Sequence, residues 1–135
     1  MRILIDLQAA QSGSRFRGIG RYSTWLARAM IQLGAEHEFY LLLNGMLPQA
    51  IPEIIARFDD VLPRTNIRVW HAVSPTDWTT DQNSHRRKAA ELIREAFIAY
   101  LAPDVVHVTC PMDGYDDNAI FSLGAFGLKP LTAVT

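Results

Sequence analysis

Short apolar segments alternate along the chain with longer segments in which apolar residues recur every three or four positions. The short segments are rich in Ile, Val and Leu and are bounded by polar, Gly or Pro residues, which is typical of strands buried on both faces of a sheet. They predict strands at residues 3–7, 38–43, 67–71, 104–109 and 131–135.

Two of the longer segments lie in the first half of the chain and predict helices. The first begins at Ile19 and ends before Gly34, a residue type that commonly stops a helix. Its apolar face consists of Ile19, Tyr22, Leu26, Ala29, Met30 and Leu33. The second covers residues 49–61 with a weaker pattern, and Pro residues favour its first turn.

A third helical segment begins at Asn83 or Ser84, either of which can cap it, and ends before Pro103. Its predicted buried face consists of Leu92, Ile93, Ala96, Phe97, Tyr100 and Leu101. Further along, residues 119–126 are predicted to form a short helix or turn.

Strands and helices in this alternating order predict an α/β fold of the Rossmann-like class, in which helices cover both faces of a parallel sheet. Ligands of such sheets bind beyond the carboxyl ends of the strands, near the point where the strand order reverses. The loops of interest are therefore residues 8–20, after the first strand, and residues 110–118, after the fourth.

The composition is that of one soluble globular domain and excludes several classes of protein. The 135 residues carry 13 Lys and Arg against 14 Asp and Glu, a formal net charge of −1, and 49% of them are hydrophobic. This balance excludes a disordered chain and argues against a nucleic-acid groove binder, which needs an excess of basic residues. The sequence contains no recognisable signal peptide or membrane span, and its single cysteine, Cys110, predicts a cytosolic chain.

Glycine and arginine are concentrated where the first loop leads into the first helix. Gly18 and Gly20 lie at the helix start, where backbone N–H groups can approach a phosphate. Arg15, Arg17 and Arg21 flank them and suit a phosphate or a phosphorylated sugar. The same residues also fit a plain loop-to-helix turn with a solvated basic surface, and spacing alone does not decide between these interpretations.

Acidic residues follow the fourth strand. Asp113, Asp116 and Asp117 suit a hard cation, sugar hydroxyls or a solvated turn. Because their spacing matches no known metal-ligand pattern, no metal site is predicted.

Three other features receive structural interpretations. The basic run at residues 86–88 is predicted to be a solvated face, and Cys110 a buried thiol without a histidine to activate it. His107 alternates with valines inside a strand, which predicts a hydrogen-bonded and partly buried histidine.

Several segments resemble the N-terminal half of family 4 glycosyltransferases. They are MRILIDL at 1–7, RFRGIGRY at 15–22, PDVVHV at 103–108 and LTAVT at 131–135, supported by DGYDD at 113–117 and SLG at 122–124. The resemblance covers essentially the whole chain, in order. It implies the GT-B fold, in which two Rossmann-like domains face each other across a cleft. Many members add mannose or related sugars to bacterial surface polysaccharides.

The resemblance implies a role for particular residues. Gly18, Gly20 and Arg21 would lie near the diphosphate or sugar of a nucleotide-diphosphate donor, whereas Thr109 and Asp113 would face the acceptor glycan. It also implies hexose transfer with retention of configuration, without a metal or any other cofactor.

The same resemblance implies that residues 1–135 are one acceptor-side domain of a larger enzyme whose C-terminal donor-binding domain is absent here. We therefore expect no transfer by this chain alone, and a homo-oligomer formed through the exposed sheet edge. The full enzyme is expected in the cytoplasm, with peripheral association at the inner face of the membrane. The alternative is a non-enzymatic Rossmann-like module that binds a phosphorylated metabolite.

Overall fold

A parallel sheet lies at the centre of the computed structural model, which describes residues 1–111, 115–122, 124 and 131–135. Its five strands are β1 (Arg2–Asp6), β2 (Glu38–Asn44), β3 (Ile67–Trp70), β4 (Val105–Val108) and β5 (Leu131–Val134). The α-helices of the described residues are α1 (Gly18–Leu33), α2 (Ile51–Phe58) and α3 (Ser84–Leu101). The predicted α/β, Rossmann-like fold is confirmed, although α2 is shorter than its sequence pattern indicated.

The strand order β3-β2-β1-β4-β5 places β1 in the middle of the sheet, and every adjacent pair is parallel. The chain moves outward from β1 to β3, then returns past β1 to form β4, so the order reverses beside β1. The loops that follow β1 and β4 therefore diverge at the position where sheets of this class bind their ligands.

Alternating strand positions supply two apolar cores, one on each face of the sheet. On one face, strand residues such as Ile5 and Leu41 pack against Ala27 and Ile31 of α1 and Phe58 of α2. The other core combines strand residues with part of α3, and includes Leu4, Leu42, Trp70, Val106, Ala90, Ile98 and Leu101. Because helices cover both faces, the strands are apolar almost without interruption.

The predicted buried face of α1 is largely wrong. Ile19, Tyr22 and Leu33 are exposed, although Met30 packs against the core, and the buried residues of the helix are Gly20, Ser23, Thr24, Ala27 and Ile31. Ala27 and Ile31 belong to the core, whereas Gly20 lies against the backbone of Arg15 in the preceding loop. The apolar pattern therefore marked the wrong side of α1.

The predicted face of α3 is wrong for several of its residues, although Leu101 is buried as predicted and Phe97 packs against the core. Leu92, Ile93 and Tyr100 are exposed, Tyr100 to 84%, whereas Ala90, Arg94, Glu95, Ile98 and Leu101 are buried. The buried charge of Arg94 explains the difference, because its partner lies beneath the helix. Hydropathy alone assigns such a residue to the solvent.

Local details also depart from the sequence predictions. Asn83 precedes α3 but makes no side-chain capping bond; its Nδ2 donates to Asp77 Oδ2 at 2.8 Å instead. Residues 119–122 form no helix, and residues 123, 125 and 126 of that predicted element lie outside the described part of the chain. Among the helices that the structure describes, none has the length and apolar character needed to cross a membrane.

The corrected face of α3 can be tested with two isoleucines on the same helix. Ile98 is 3% exposed and Ile93 is 42% exposed. We expect Ile98→Ala to lower the free energy of unfolding by about 2–5 kcal/mol, because it leaves a cavity in the core. Ile93→Ala should cost less than about 1 kcal/mol. Urea unfolding measures both, and equal or reversed losses would contradict the observed orientation.

Candidate functional site

A buried ion pair lies at the carboxyl edge of the central strand. Arg94, from the middle of α3, donates through Nη2 to Oδ2 of Asp6, the last residue of β1, and neither side chain is exposed. Arg94 Nη1 also donates to the carbonyl of Ser122. Because a buried charge is costly unless it is paired and hydrogen-bonded, these contacts tie α3, β1 and residues 115–122 together.

Buried amide side chains extend this contact across the sheet edge. Gln8 Nε2 donates to Asp6 Oδ2 at 3.0 Å and to Ile120 O at 2.7 Å, and Gln8 Oε1 accepts from Ile120 N at 2.9 Å. Asn44, the last residue of β2, donates through Nδ2 to Gln8 Oε1 and to Asn118 O, both at 2.8 Å. The loops after β1, β2 and β4 are thus joined by one buried hydrogen-bonded network, formed by Asp6, Gln8, Asn44 and Arg94.

The sequence patterns did not predict this buried hydrogen-bonded network. Gln8, Asn44 and Arg94 had no motif of their own, although Gln8 and Asn44 immediately follow or end apolar strands. Amide side chains at the carboxyl ends of parallel strands were the available signal. Apart from the contact between Gln8 and Asp6, the hydrogen bonds that join these side chains to the other loops span more than 30 positions, which a local pattern does not contain.

The glycines at the start of α1 have different environments. A Cβ at Gly20 would lie 2.5 Å from Arg15 Cα and 2.7 Å from Arg15 O, so only glycine fits there. A Cβ at Gly18 would meet nothing within 4 Å. Arg17 occupies the N-cap position without a capping side-chain bond, and the first turn contains no acidic residue. An anion at the first turn of α1 would therefore meet neither a capping side chain nor an acidic residue of the helix.

The structure brings some of the predicted anion-binding residues into one cavity of about 210 Å³ between the starts of α1 and α2. Arg15, Gly20 and Arg21 line it, together with Arg57, whose Nη2 donates to Glu53 Oε1 at 2.6 Å. Gly18 and Arg17 are exposed beside this cavity without lining it.

The predicted acceptor residues are only partly described. Thr109 is buried, and its Oγ1 donates to the carbonyl of Asp6 at 2.9 Å, so it secures the end of β1. Asp113 lies outside the described residues. The nearby Asp117 accepts from two backbone N–H groups, those of Gly13 at 3.1 Å and Ala119 at 2.8 Å. It therefore acts as a turn residue that joins two loops.

A second cavity, of about 290 Å³, lies at the ends of β3 and β4. Its lining includes Trp78, Arg87, Glu91, Tyr115, Phe121 and Ser122. The guanidinium carbon of Arg87 lies 3.7 Å from the centre of the Trp78 ring, and Nη1 donates to Asp77 O at 2.7 Å. Arg87 is thus buried, and the prediction that residues 86–88 form a solvated face is wrong for it.

His107 and Cys110 had structural predictions with different outcomes. His107 is 6% exposed, and its Nε2 lies 2.9 Å from Thr135 Oγ1, which confirms a hydrogen-bonded, partly buried histidine. Burial lowers the pKa of His107. Cys110 is partly exposed, so the prediction of a buried thiol is wrong. Within the part of the chain that the structure describes, no cluster of His, Cys, Asp or Glu could hold a metal ion.

Comparison with curated proteins shows that the chain is homologous to glycosyltransferases, which confirms the resemblance seen in its sequence. The relatives are serotype-specific mannosyltransferases named WbdA, from Escherichia coli. The chain is 38% identical to one of them over 126 residues, which is 93% of this chain and 15% of that protein. Two others are 34% and 33% identical over 101 residues, or 74% of this chain and 12% of each relative.

The chain therefore spans no more than 15% of the length of these relatives. No family model matches it. No solved structure matches it either. Membership of family 4 stays a prediction.

The importance of the buried ion pair can be measured by removing one or both charges. Arg94→Met should lower the free energy of unfolding by about 3–5 kcal/mol, because the Asp6 carboxylate then remains buried without its cation. The double variant Asp6→Leu with Arg94→Met should recover part of this loss in urea unfolding. Arg64→Met, which removes an exposed ion pair with Asp59, is the control and should have little effect. A double variant less stable than Arg94→Met would contradict this account.

The lowered pKa of His107 predicts a pH dependence of stability. Its pKa in the folded state lies below the usual value of 6.5, so the unfolded chain binds more protons between the two values. Stability should therefore rise with pH up to about 6.5. Urea midpoints at several pH values between 5 and 7.5, compared with those of His107→Gln, measure this contribution. An unchanged slope in the variant would contradict it.

Proposed function

We propose that the chain is the acceptor-side, N-terminal domain of a glycosyltransferase that moves a hexose, mannose, from a nucleotide-diphosphate sugar to a growing glycan. The observation that carries this proposal is the cavity between the starts of α1 and α2, which we call the donor-side cavity. There, Arg15 and Arg21 lie beside Gly20 and an uncapped helix start. The similarity to mannosyltransferases supports the choice of sugar.

The chemistry proposed for this cavity is electrostatic. As the bond between the sugar and the diphosphate breaks, negative charge develops on the leaving diphosphate. Backbone N–H groups of α1 and the guanidinium groups of Arg15 and Arg21 would stabilise that charge, and Arg17 would add to the local potential. In this proposal the domain supplies no covalent nucleophile and no metal, and configuration at the transferred sugar is retained.

The proposal also assigns part of the reaction to a second domain. Nucleotide binding is assigned to a second, C-terminal domain, so the 135-residue chain alone should not transfer sugar. Thr109 and Asp113 stay the proposed acceptor-side residues. We place the whole enzyme in the cytoplasm, at the inner face of the membrane, with the exposed sheet edge available for a homo-oligomer.

The test compares two arginine variants in the complete protein. Arg21→Gln should lower kcat/KM for mannosyl transfer about 10- to 100-fold, because a charge-assisted bond to the leaving group contributes about 1.5–3 kcal/mol. Arg64→Gln, an arginine paired with Asp59 on an exposed surface, should leave transfer unchanged. A panel of nucleotide-diphosphate sugars titrated by calorimetry identifies the donor.

Two results would contradict the proposal. One is unchanged transfer by Arg21→Gln in a complete protein that is otherwise active. The other is measurable transfer by the 135-residue chain alone, which would show that no second domain is needed.

A further inference from the structure

We infer that the second cavity, between residues 71–83 and 115–122, is a carbohydrate subsite that holds one pyranose ring of the acceptor glycan. This inference rests on the proposed function, since it takes the ligand to be the acceptor of the transfer. We call this cavity the acceptor subsite. It is lined by Trp78, Arg87, Glu91, Tyr115, Phe121 and Ser122.

Aromatic side chains form much of the wall. Trp78 is 52% exposed and Tyr115 is 69% exposed, although both lie at a cavity, and the partly buried Phe121 also lines it. The guanidinium of Arg87 lies over the indole ring of Trp78, and about half of the Trp78 side chain stays exposed, which in this inference is the surface that a sugar ring contacts. The electron-rich face of an aromatic ring attracts the polarised C–H groups of a pyranose, and its flat shape matches the apolar face of the sugar.

Polar groups for sugar hydroxyls lie in the same cavity. The Glu91 carboxylate is 22% exposed, and Lys88 approaches it only to 3.5 Å. The Ser122 Oγ is buried and has no hydrogen-bond partner among the described residues. Because a buried hydroxyl is costly without a partner, a ligand hydroxyl at this position would be favourable. A carboxylate that accepts hydrogen bonds and a free hydroxyl, both beside aromatic rings, suit a neutral sugar.

The charges argue against an anionic ligand here. Among the described residues that line the acceptor subsite, the arginine is Arg87, and its Nη1 already donates to the carbonyls of Thr76 and Asp77. Glu91 would repel a phosphate. The donor-side cavity has an excess of positive charge, since Arg15, Arg21 and Arg57 line it with a single carboxylate, Glu53, which is paired with Arg57. In this inference, the acceptor subsite binds a neutral sugar and the donor-side cavity binds the anionic donor.

The size of the subsite also limits the ligand. Its volume of about 290 Å³ lies just below the range for small-molecule sites, roughly 300–1,000 Å³. A single sugar ring is a better match than a complete sugar nucleotide. The remaining sugars of a glycan would extend from the open side of the cavity.

The walls of the subsite are held in place before any ligand binds. Trp78 N donates to Tyr115 O at 3.0 Å, and Thr76 N donates to Asn118 Oδ1 at 2.8 Å, so the two loops are joined directly. Arg94 holds the carbonyl of Ser122 from below. Such preorganisation reduces the entropic cost of binding.

The experiment measures binding of mannotetraose to the complete protein without donor, by saturation-transfer NMR and calorimetry. Trp78→Leu and Tyr115→Ala should each weaken binding roughly three- to tenfold, as the loss of one aromatic contact predicts. Trp25→Leu and Tyr100→Ala are the matched controls, because both aromatics are exposed and lie outside the cavity. They should change affinity less than twofold. In steady-state transfer, the same pair of subsite variants should raise KM for the acceptor and leave KM for the donor unchanged.

The outcomes separate this inference from the proposed function. Sugar binding that both subsite variants weaken, in a protein without transferase activity, would support the subsite and contradict the proposed function. Normal transfer with acceptor KM and mannotetraose affinity unchanged in both variants would overturn the subsite alone. Failure of the complete protein to bind mannotetraose would also overturn it, as would equal losses in the control variants. Because Trp78→Leu also removes the ring beneath Arg87, unfolding midpoints check its fold, and Tyr115→Ala provides the independent result.

Discussion

The ion pair between Asp6 and Arg94 is the contact on which the carboxyl edge of the sheet depends. It places two charges where neither side chain meets water, so every remaining donor and acceptor around them needs a partner. Gln8 and the carbonyl of Ser122 supply such partners. As a result, the central strand, the helix on one face and the chain after β4 form a single hydrogen-bonded unit at the edge where ligands are expected.

The structure holds two cavities of different chemistry. On the side of β2, small residues and arginines surround the uncapped start of α1. On the side of β3 and β4, aromatic rings and one carboxylate line a space suited to a neutral ring. A transferase has to hold an anionic donor and a neutral acceptor close together without exchanging their sites. In the proposed function, the difference in charge between the two cavities directs the anionic donor to one cavity and the neutral acceptor to the other.

Close packing explains why both long helices present apolar residues to solvent. The buried positions of α1 include the small residues Ser23 and Ala27, and Arg94 of α3 is buried because Asp6 neutralises its charge. Periodicity ranks side chains by hydropathy and ignores both size and pairing. It therefore assigns Tyr22 and Tyr100 to the interior, although the structure leaves them exposed.

The sequence by itself determined the order of strands and helices, because strands buried on both faces need continuous apolar runs and helices need a repeat of three or four. It also located the glycine and arginine residues at the start of α1, and its resemblance to glycosyltransferases is confirmed. Only the tertiary structure decided which helix faces are buried, why Gly20 must be glycine, and how Gln8, Asn44 and Arg94 meet. Those outcomes depend on contacts between residues far apart in the chain, and a local pattern carries no information about such distances.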